Sequence, residues 1–229
     1  MTTPQRFTKG VTNVASDNPM NQLIIPDPTS VHLYYNDFDN YVAGDWIVTE
    51  TNADATEALT DADGGALLIT NTAVDDDLVG MQLAKESFVF ASGKKLWFKA
   101  RLTLGDATQA DCFVGLHVTD TSPVASAPSD GVYFRKDDGD TNWDFMVRAS
   151  SVDVSETAAI GAASTNAIAL AFYFDGVDTF GYYVDGVKKG SVTTTSFPTT
   201  ELNLSFCIQN GEAVAKTLTV DYVMSCKER

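Results

Sequence analysis

Residues 167–192, AIALAFYFDGVDTFGYYVDGVKKGSV, form three short apolar runs separated by two glycine-containing turns. The second turn, Asp185-Gly186, falls between GYYV and a short Val-Lys-Lys-Gly run. An Asp-Gly pair there supplies the positive φ angles that a tight two-residue hairpin requires, so three consecutive antiparallel strands are expected. The same construction continues in both directions. Strand-like runs are read at YYNDFD, DWIVTE, GALLITN, MQLAKESFVF, KLWFKARLTL, CFVGLHVTD, GVYFRKD, DFMVRAS, LNLSFCIQN and LTVDYVMSCK. Their spacing is that of a sandwich rather than of alternating βαβ units. The Ala-rich segment 155–166 competes as a helix, but Gly161 interrupts it and no polar stripe has helical period, so a short strand and loop are expected there.

Period-two alternation shows how the sheets are used. In KLWFKARLTL, Leu96, Phe98, Ala100, Leu102 and Leu104 share one face, and Trp97, Lys99, Arg101 and Thr103 share the other. The last strand alternates in the same way, with Leu218, Val220, Tyr222, Met224 and Cys226 expected inward. In LNLSFCIQN, Leu202, Leu204, Phe206 and Ile208 are expected inward. One apolar and one amphipathic face per strand predict two antiparallel sheets packed face to face.

With 229 residues, 44% of them hydrophobic, the chain can bury a full core as one large all-β domain. Thirty-one acidic against fifteen basic side chains give a formal charge of −16. That field repels polyphosphate, so nucleic acid is not an expected partner. The opening MTTPQRFTKGVTNVASDNPM has no apolar core of the length a secretion signal needs, and no run approaches the roughly 20 residues that span a bilayer. No membrane association is expected, and synthesis in a cytoplasm with exit by lysis is. Cys112, Cys207 and Cys226 are odd in number and lack CxxC spacing, which predicts buried reduced thiols and neither a disulfide framework nor a zinc site.

Residues 1–33 have no sustained periodicity, contain Pro4, Pro19, Pro26 and Pro28, and read as an extended arm; residues 34–229 read as the sandwich. Arg6 and Lys9 are the only charges before Asp17, so the tip of the arm is positive on a strongly negative chain.

The order of LAFYFDG, YYVDG and a terminal LTVDYV resembles the concanavalin A-like jelly roll, also found in laminin-G-type modules and several glycan-cleaving families. More narrowly, MTTPQRFTKGVTNV, YYNDFDNYVAGDWIVTET, DADGGALLITN and LTVDYVMSCKER resemble a group of virion structural proteins of tailed bacteriophages. That resemblance implies a non-enzymatic capsid decoration or cement protein on the virion exterior, with the phage major capsid protein as partner and a homotrimer as the assembly at threefold axes. Arg6, Phe7, Lys9, Leu23, Ile24 and Ile25 are then the expected capsid contacts of the arm.

The enzymatic branches of the fold make different demands. Retaining glucanases of this kind carry E-x-D-x-x-E on one strand, because two carboxylates about 5 Å apart must flank the scissile bond. No Glu here begins that pattern, and Glu50, Glu57, Glu86, Glu156, Glu201, Glu212 and Glu228 are each isolated in sequence, as solvated carboxylates would be. A G-x-S-x-G elbow, a phosphate-binding glycine loop and paired metal-ligand histidines are all missing from the sequence. No cofactor or metal is expected, and the acidic runs at residues 61–63, 75–77 and 137–140 lack the spacing of a calcium loop. Asp137 to Asp140 read as a solvated hairpin turn. His32, near the arm junction, is expected to be structural or solvent-facing. His117 belongs to an outer, amphipathic strand face. If Trp97, Arg101, His117, Tyr133 and Arg135 share one outer sheet face, they form a surface able to stack a sugar ring and bind its hydroxyls or carboxylate. A glycan-binding module on the virion surface that holds polysaccharide is therefore the alternative, and a degenerate glycanase or polysaccharide lyase a second one.

Overall fold

The computed structural model describes residues 29–229. The arm residues Arg6, Phe7, Lys9, Leu23, Ile24 and Ile25 lie outside them. Two antiparallel sheets pack face to face. One has eight strands in the order β13 (Val187–Thr193), β12 (Thr179–Val184), β11 (Ile168–Phe174), β6 (Leu96–Leu104), β15 (Thr217–Glu228), β4 (Ala66–Thr70) and β3 (Thr56–Thr60), with β1 (Val31–Asn36) also paired to β15. The other has seven, in the order β10 (Val152–Ala162), β9 (Asn142–Ala149), β8 (Gly131–Lys136), β7 (Ala110–His117), β14 (Asn203–Asn210), β5 (Leu78–Leu83) and β2 (Trp46–Glu50). The non-consecutive neighbours β11–β6–β15 and β7–β14–β5 are the crossovers of a jelly roll.

The central hairpins form as their turn residues require. Strands β12 and β13 meet at Val184 and Val187, with Asp185 at φ 50° and Gly186 at φ 75°. Between β11 and β12, Gly176 sits at φ 84°, and the Asp175 carboxylate accepts the N–H groups of Val177, Asp178 and Thr179 at 2.8, 3.1 and 3.1 Å. On its other side β11 pairs with β6, where Phe172 stacks on Phe98 with ring centroids 4.9 Å apart. Phe90 packs edge-on against Phe174 and Phe180, each at 5.3 Å, and Phe145 of the opposite sheet stacks on Tyr182 at 5.1 Å. This aromatic layer joins the two sheets.

The structure departs from or extends the sequence reading in four places. A bulge at Asp221 shifts β15 by one residue, so Val220 pairs with Leu102 but Tyr222 pairs with Arg101. The shift moves Tyr222, Met224 and Cys226 to the outer face and brings Val223 and Ser225 inward. Residues 155–162 belong to an eleven-residue edge strand, β10, with register shifts and Ala159 at φ 56°, and residues 163–166 follow as a loop, so the expected strand and loop are present but the strand is longer and begins at Val152. Strand β3 had no signal in the alternation, because its residues are mostly exposed. Strand β1 takes in Val31, His32 and Leu33, which sequence reasoning assigns to the arm.

Phe172 contacts the rings of Phe90, Phe98, Phe134 and Phe145 and is fully buried. Phe172→Ala should lower unfolding stability by about 3–5 kcal/mol through lost transfer energy and an unfilled cavity, measurable by denaturant titration with an unchanged m-value.

Candidate functional site

Strand register divides the surface expected from sequence. Trp97 and Arg101 face outward from β6 in the eight-stranded sheet. His117, Tyr133 and Arg135 face outward from β7 and β8 in the seven-stranded sheet. The five residues therefore lie on opposite sides of the sandwich. Pairing across sheets is the information alternation lacks: it shows that a residue faces outward, but not from which sheet.

On the seven-stranded sheet, Gly115 lies opposite Tyr133, and a Cβ there would sit 2.5 Å from the Val132 carbonyl oxygen. The absent side chain lets the Tyr133 ring stack on Phe113 at 3.9 Å. Met146, Cys207 and Val124 complete this small apolar cluster. Val124 belongs to the β7–β8 connection, residues 118–130, which crosses the face as a strap. The Asp120 N–H donates to Gln82 Oε1 at 2.9 Å, and the Gln82 amide donates back to the Asp120 carbonyl. Asn203 donates to Thr119 Oγ1 at 3.1 Å. At the far side, Arg148 Nε donates to the Pro128 carbonyl at 2.8 Å, and the Ser150 N–H donates to Asp130 at 2.9 Å. The strap thus reaches from β5 to β9.

Burial sets the chemistry underneath. His117 is expected on an amphipathic face but is only 1% exposed. Its Nδ1 lies 2.6 Å from the Val118 carbonyl, and its ring meets Phe113 edge-on at 4.8 Å. Desolvation lowers its pKa to about 4. The ring is therefore neutral near pH 7 and sealed from solvent. Burial likewise pushes the Tyr133 phenol up to about 12, and its buried hydroxyl has no hydrogen-bond partner. Arg135 forms ion pairs with Asp137 at 3.0 Å and Glu156 at 3.3 Å.

The isolated glutamates of the sequence are not all solvated. Glu57 of β3 comes against Glu50, at the end of β2 in the opposite sheet. Burial first, and the neighbouring Glu50 second, raise the Glu57 carboxyl to about 7. The pair sits at the sandwich edge, away from the strapped face.

The outer face of the eight-stranded sheet has the opposite character. Trp97 packs on Tyr173 at 5.4 Å, the Lys99 ammonium lies 5.5 Å from the Tyr222 ring centre, and Tyr35 lies 6.4 Å from Tyr222. Arg101 pairs with Asp221 at the bulge. Leu33 and Tyr35 of β1 remain 41% and 53% exposed. Sequence reasoning misses Leu33, Tyr35, Tyr173 and Tyr222 here; for Tyr222 the signal was inverted by the bulge.

His32, at the junction with the arm, packs its ring against Phe88 at 4.7 Å. The three cysteines are free thiols, all buried. Among the described residues no cluster of three or more His, Cys, Asp or Glu side chains could hold a metal ion.

No protein-family model matches the chain, and no curated protein matches it. Solved structures do match. A β-glucanase from Bacillus licheniformis superposes with a TM-score of 0.61 at 15% identity, covering 84% of this chain and 97% of its own. Peanut lectin superposes at 0.57 and 11% identity, covering 86% and 97%. A Shewanella oneidensis protein of unknown function superposes at 0.63 and 13% identity, covering 99% and 97%. The fold is the concanavalin A-like jelly roll. At these identities the likeness concerns the fold and leaves the chemistry to this chain's own residues.

The lowered pKa of His117 makes acid stability a test of the strap. Between the unfolded value of 6.5 and the folded value of about 4, the unfolded chain binds a proton that the folded chain does not, so stability falls as pH falls through this window. The full loss, on the order of 3 kcal/mol, is reached below pH 4. His117→Leu should remove this contribution, and its melting temperature should decline less than that of the parent protein between pH 6.5 and 4 in a calorimetric series.

Proposed function

We propose that the chain is a non-catalytic docking module, a virion structural protein of a tailed phage that binds the capsid exterior and reinforces it. The observation that carries this reading is the aromatic and basic outer face of the eight-stranded sheet, which runs into β1 and so into the arm. Leu33 and Tyr35 belong to that face and lie on β1, the first strand after residues 1–28 in the chain. One exposed and three half-buried aromatics, Tyr35 with Trp97, Tyr173 and Tyr222, interleaved with Arg and Lys, have the composition of a protein interface core. The strapped face supports the same reading, since His117, Tyr133 and Arg135 are sealed or ion-paired there. The tailed-phage partner follows from the likeness of MTTPQRFTKGVTNV, YYNDFDNYVAGDWIVTET and LTVDYVMSCKER to virion proteins. Three copies around a threefold axis would multiply weak single contacts into tight attachment.

Co-sedimentation with empty capsids of the encoding phage tests this. The intact protein should saturate at one trimer per threefold site. A form lacking residues 1–28, a cut that spares the β1–β15 ladder, should lose binding, and Tyr35→Ser with Arg101→Glu should weaken it by about tenfold or more. Failure of the intact protein to bind would overturn the capsid reading. Undiminished binding by the double variant would overturn the assignment of the face.

A further inference from the structure

The strap leaves an open flank beside β5 and β14. There a pocket of about 370 Å³ is lined by Asp76, Leu78 and Gln209 on one side and by Thr121, Ser122 and Ala125 of the strap on the other. Its volume lies at the low end of the range of about 300–1,000 Å³ that holds small molecules.

The polar wall is built before any ligand arrives. Asp76 sits at φ 57°, a left-handed conformation that Asp adopts more readily than most residues. Two bonds hold it: its N–H donates to the Asn210 carbonyl at 3.2 Å, and its Oδ1 accepts from Gln209 Nε2 at 3.1 Å. Asn210 is fully buried and fixed in turn, donating to the Thr72 and Val74 carbonyls at 2.6 and 2.7 Å. Gln209 is itself only 9% exposed. One Gln209 amide N–H is committed to Asp76, which leaves its second N–H as a donor and its carbonyl and the second Asp76 oxygen as acceptors. The strap supplies the hydroxyls of Thr121 and Ser122, the latter shared with Ser126 at 2.9 Å. Leu78 and Ala125 give the lining an apolar part.

We propose that this pocket binds a single neutral sugar ring. Vicinal hydroxyls donate to Asp76 and Gln209, strap hydroxyls complete the polar contacts, and the C–H face of the ring rests on Leu78 and Ala125. The carboxylate repels phosphates and acidic sugars. This site is separate from the outer face of the eight-stranded sheet, so sugar binding and capsid binding can fail independently.

The full-length protein would be titrated with the methyl glycosides of glucose, galactose, mannose and N-acetylglucosamine, with binding followed by ligand-observed NMR and calorimetry and with putrescine as a cationic control. At least one glycoside should bind saturably at one site. Asp76→Asn, which tolerates the left-handed backbone but replaces an acceptor with a donor, should weaken it by about tenfold or more. Ala125→Leu, which fills the pocket without touching its polar wall, should weaken it as well. Both variants should keep the parent's melting transition and capsid co-sedimentation. Absence of saturation by all four glycosides, affinity unmoved by both variants, or preference for putrescine would each overturn the proposal.

Discussion

Strands β7 and β14 are buried at every position on both faces, and that double burial governs the seven-stranded side of the molecule. A strand with one apolar face needs one partner layer; a strand with two needs a second. The inner faces join the core that holds Phe98 and Phe172 of the opposite sheet. The outer faces carry Phe113 of β7 and Cys207 of β14, which cluster with Tyr133 of β8 and Met146 of β9 and whose exposure would forfeit about 25 cal/mol for each Å² of apolar surface left in water. Residues 118–130 supply the cover. Val124 is their contact with the apolar cluster, while Gln82, Asn203 and Arg148 hold them through hydrogen bonds that also satisfy buried polar groups of the face. The same cover accounts for the neutral His117 and the raised Tyr133.

The sheet architecture was legible because its signals are local. Asp185-Gly186 carries its own φ requirement, and the alternation of KLWFKARLTL shows which side chains of β6 enter the core. What failed depends on distant partners. A single bulge at Asp221 reverses the parity of everything after it, and LTVDYVMSCK shows no glycine to mark the place. His117 is assigned correctly to an outer face, yet an outer face is solvent-exposed only if nothing crosses it, and what crosses it is a Ser-, Pro- and Asp-rich connection that reads as an ordinary loop. Likewise the Glu50–Glu57 contact joins residues of opposite sheets, for which sequence spacing carries no information. Of the candidate site, the individual residues were readable; their division between two faces was not.

The charges follow the same asymmetry. On the seven-stranded side Arg135 and Arg148 are in ion pairs, and the buried Lys136 ammonium donates to the Thr108 and Ala110 carbonyls at 2.8 and 2.7 Å. Lys99, Lys188 and Lys189 of the eight-stranded sheet form no ion pair among the described residues. Lys188 and Lys189 lie on β13, an edge strand, where exposed lysines oppose indiscriminate strand addition. Lys99 instead sits centrally, over Tyr222, on a protein of net charge −16. A free cation in the middle of an aromatic face attracts an acidic partner surface, while the overall negative field holds other copies away. Both effects are screened over about 10 Å at moderate salt, so each acts only as surfaces come close, the net charge opposing like copies and the patch favouring an acidic partner. Under the proposed capsid reading, attachment would strengthen as copies assemble on a shared template.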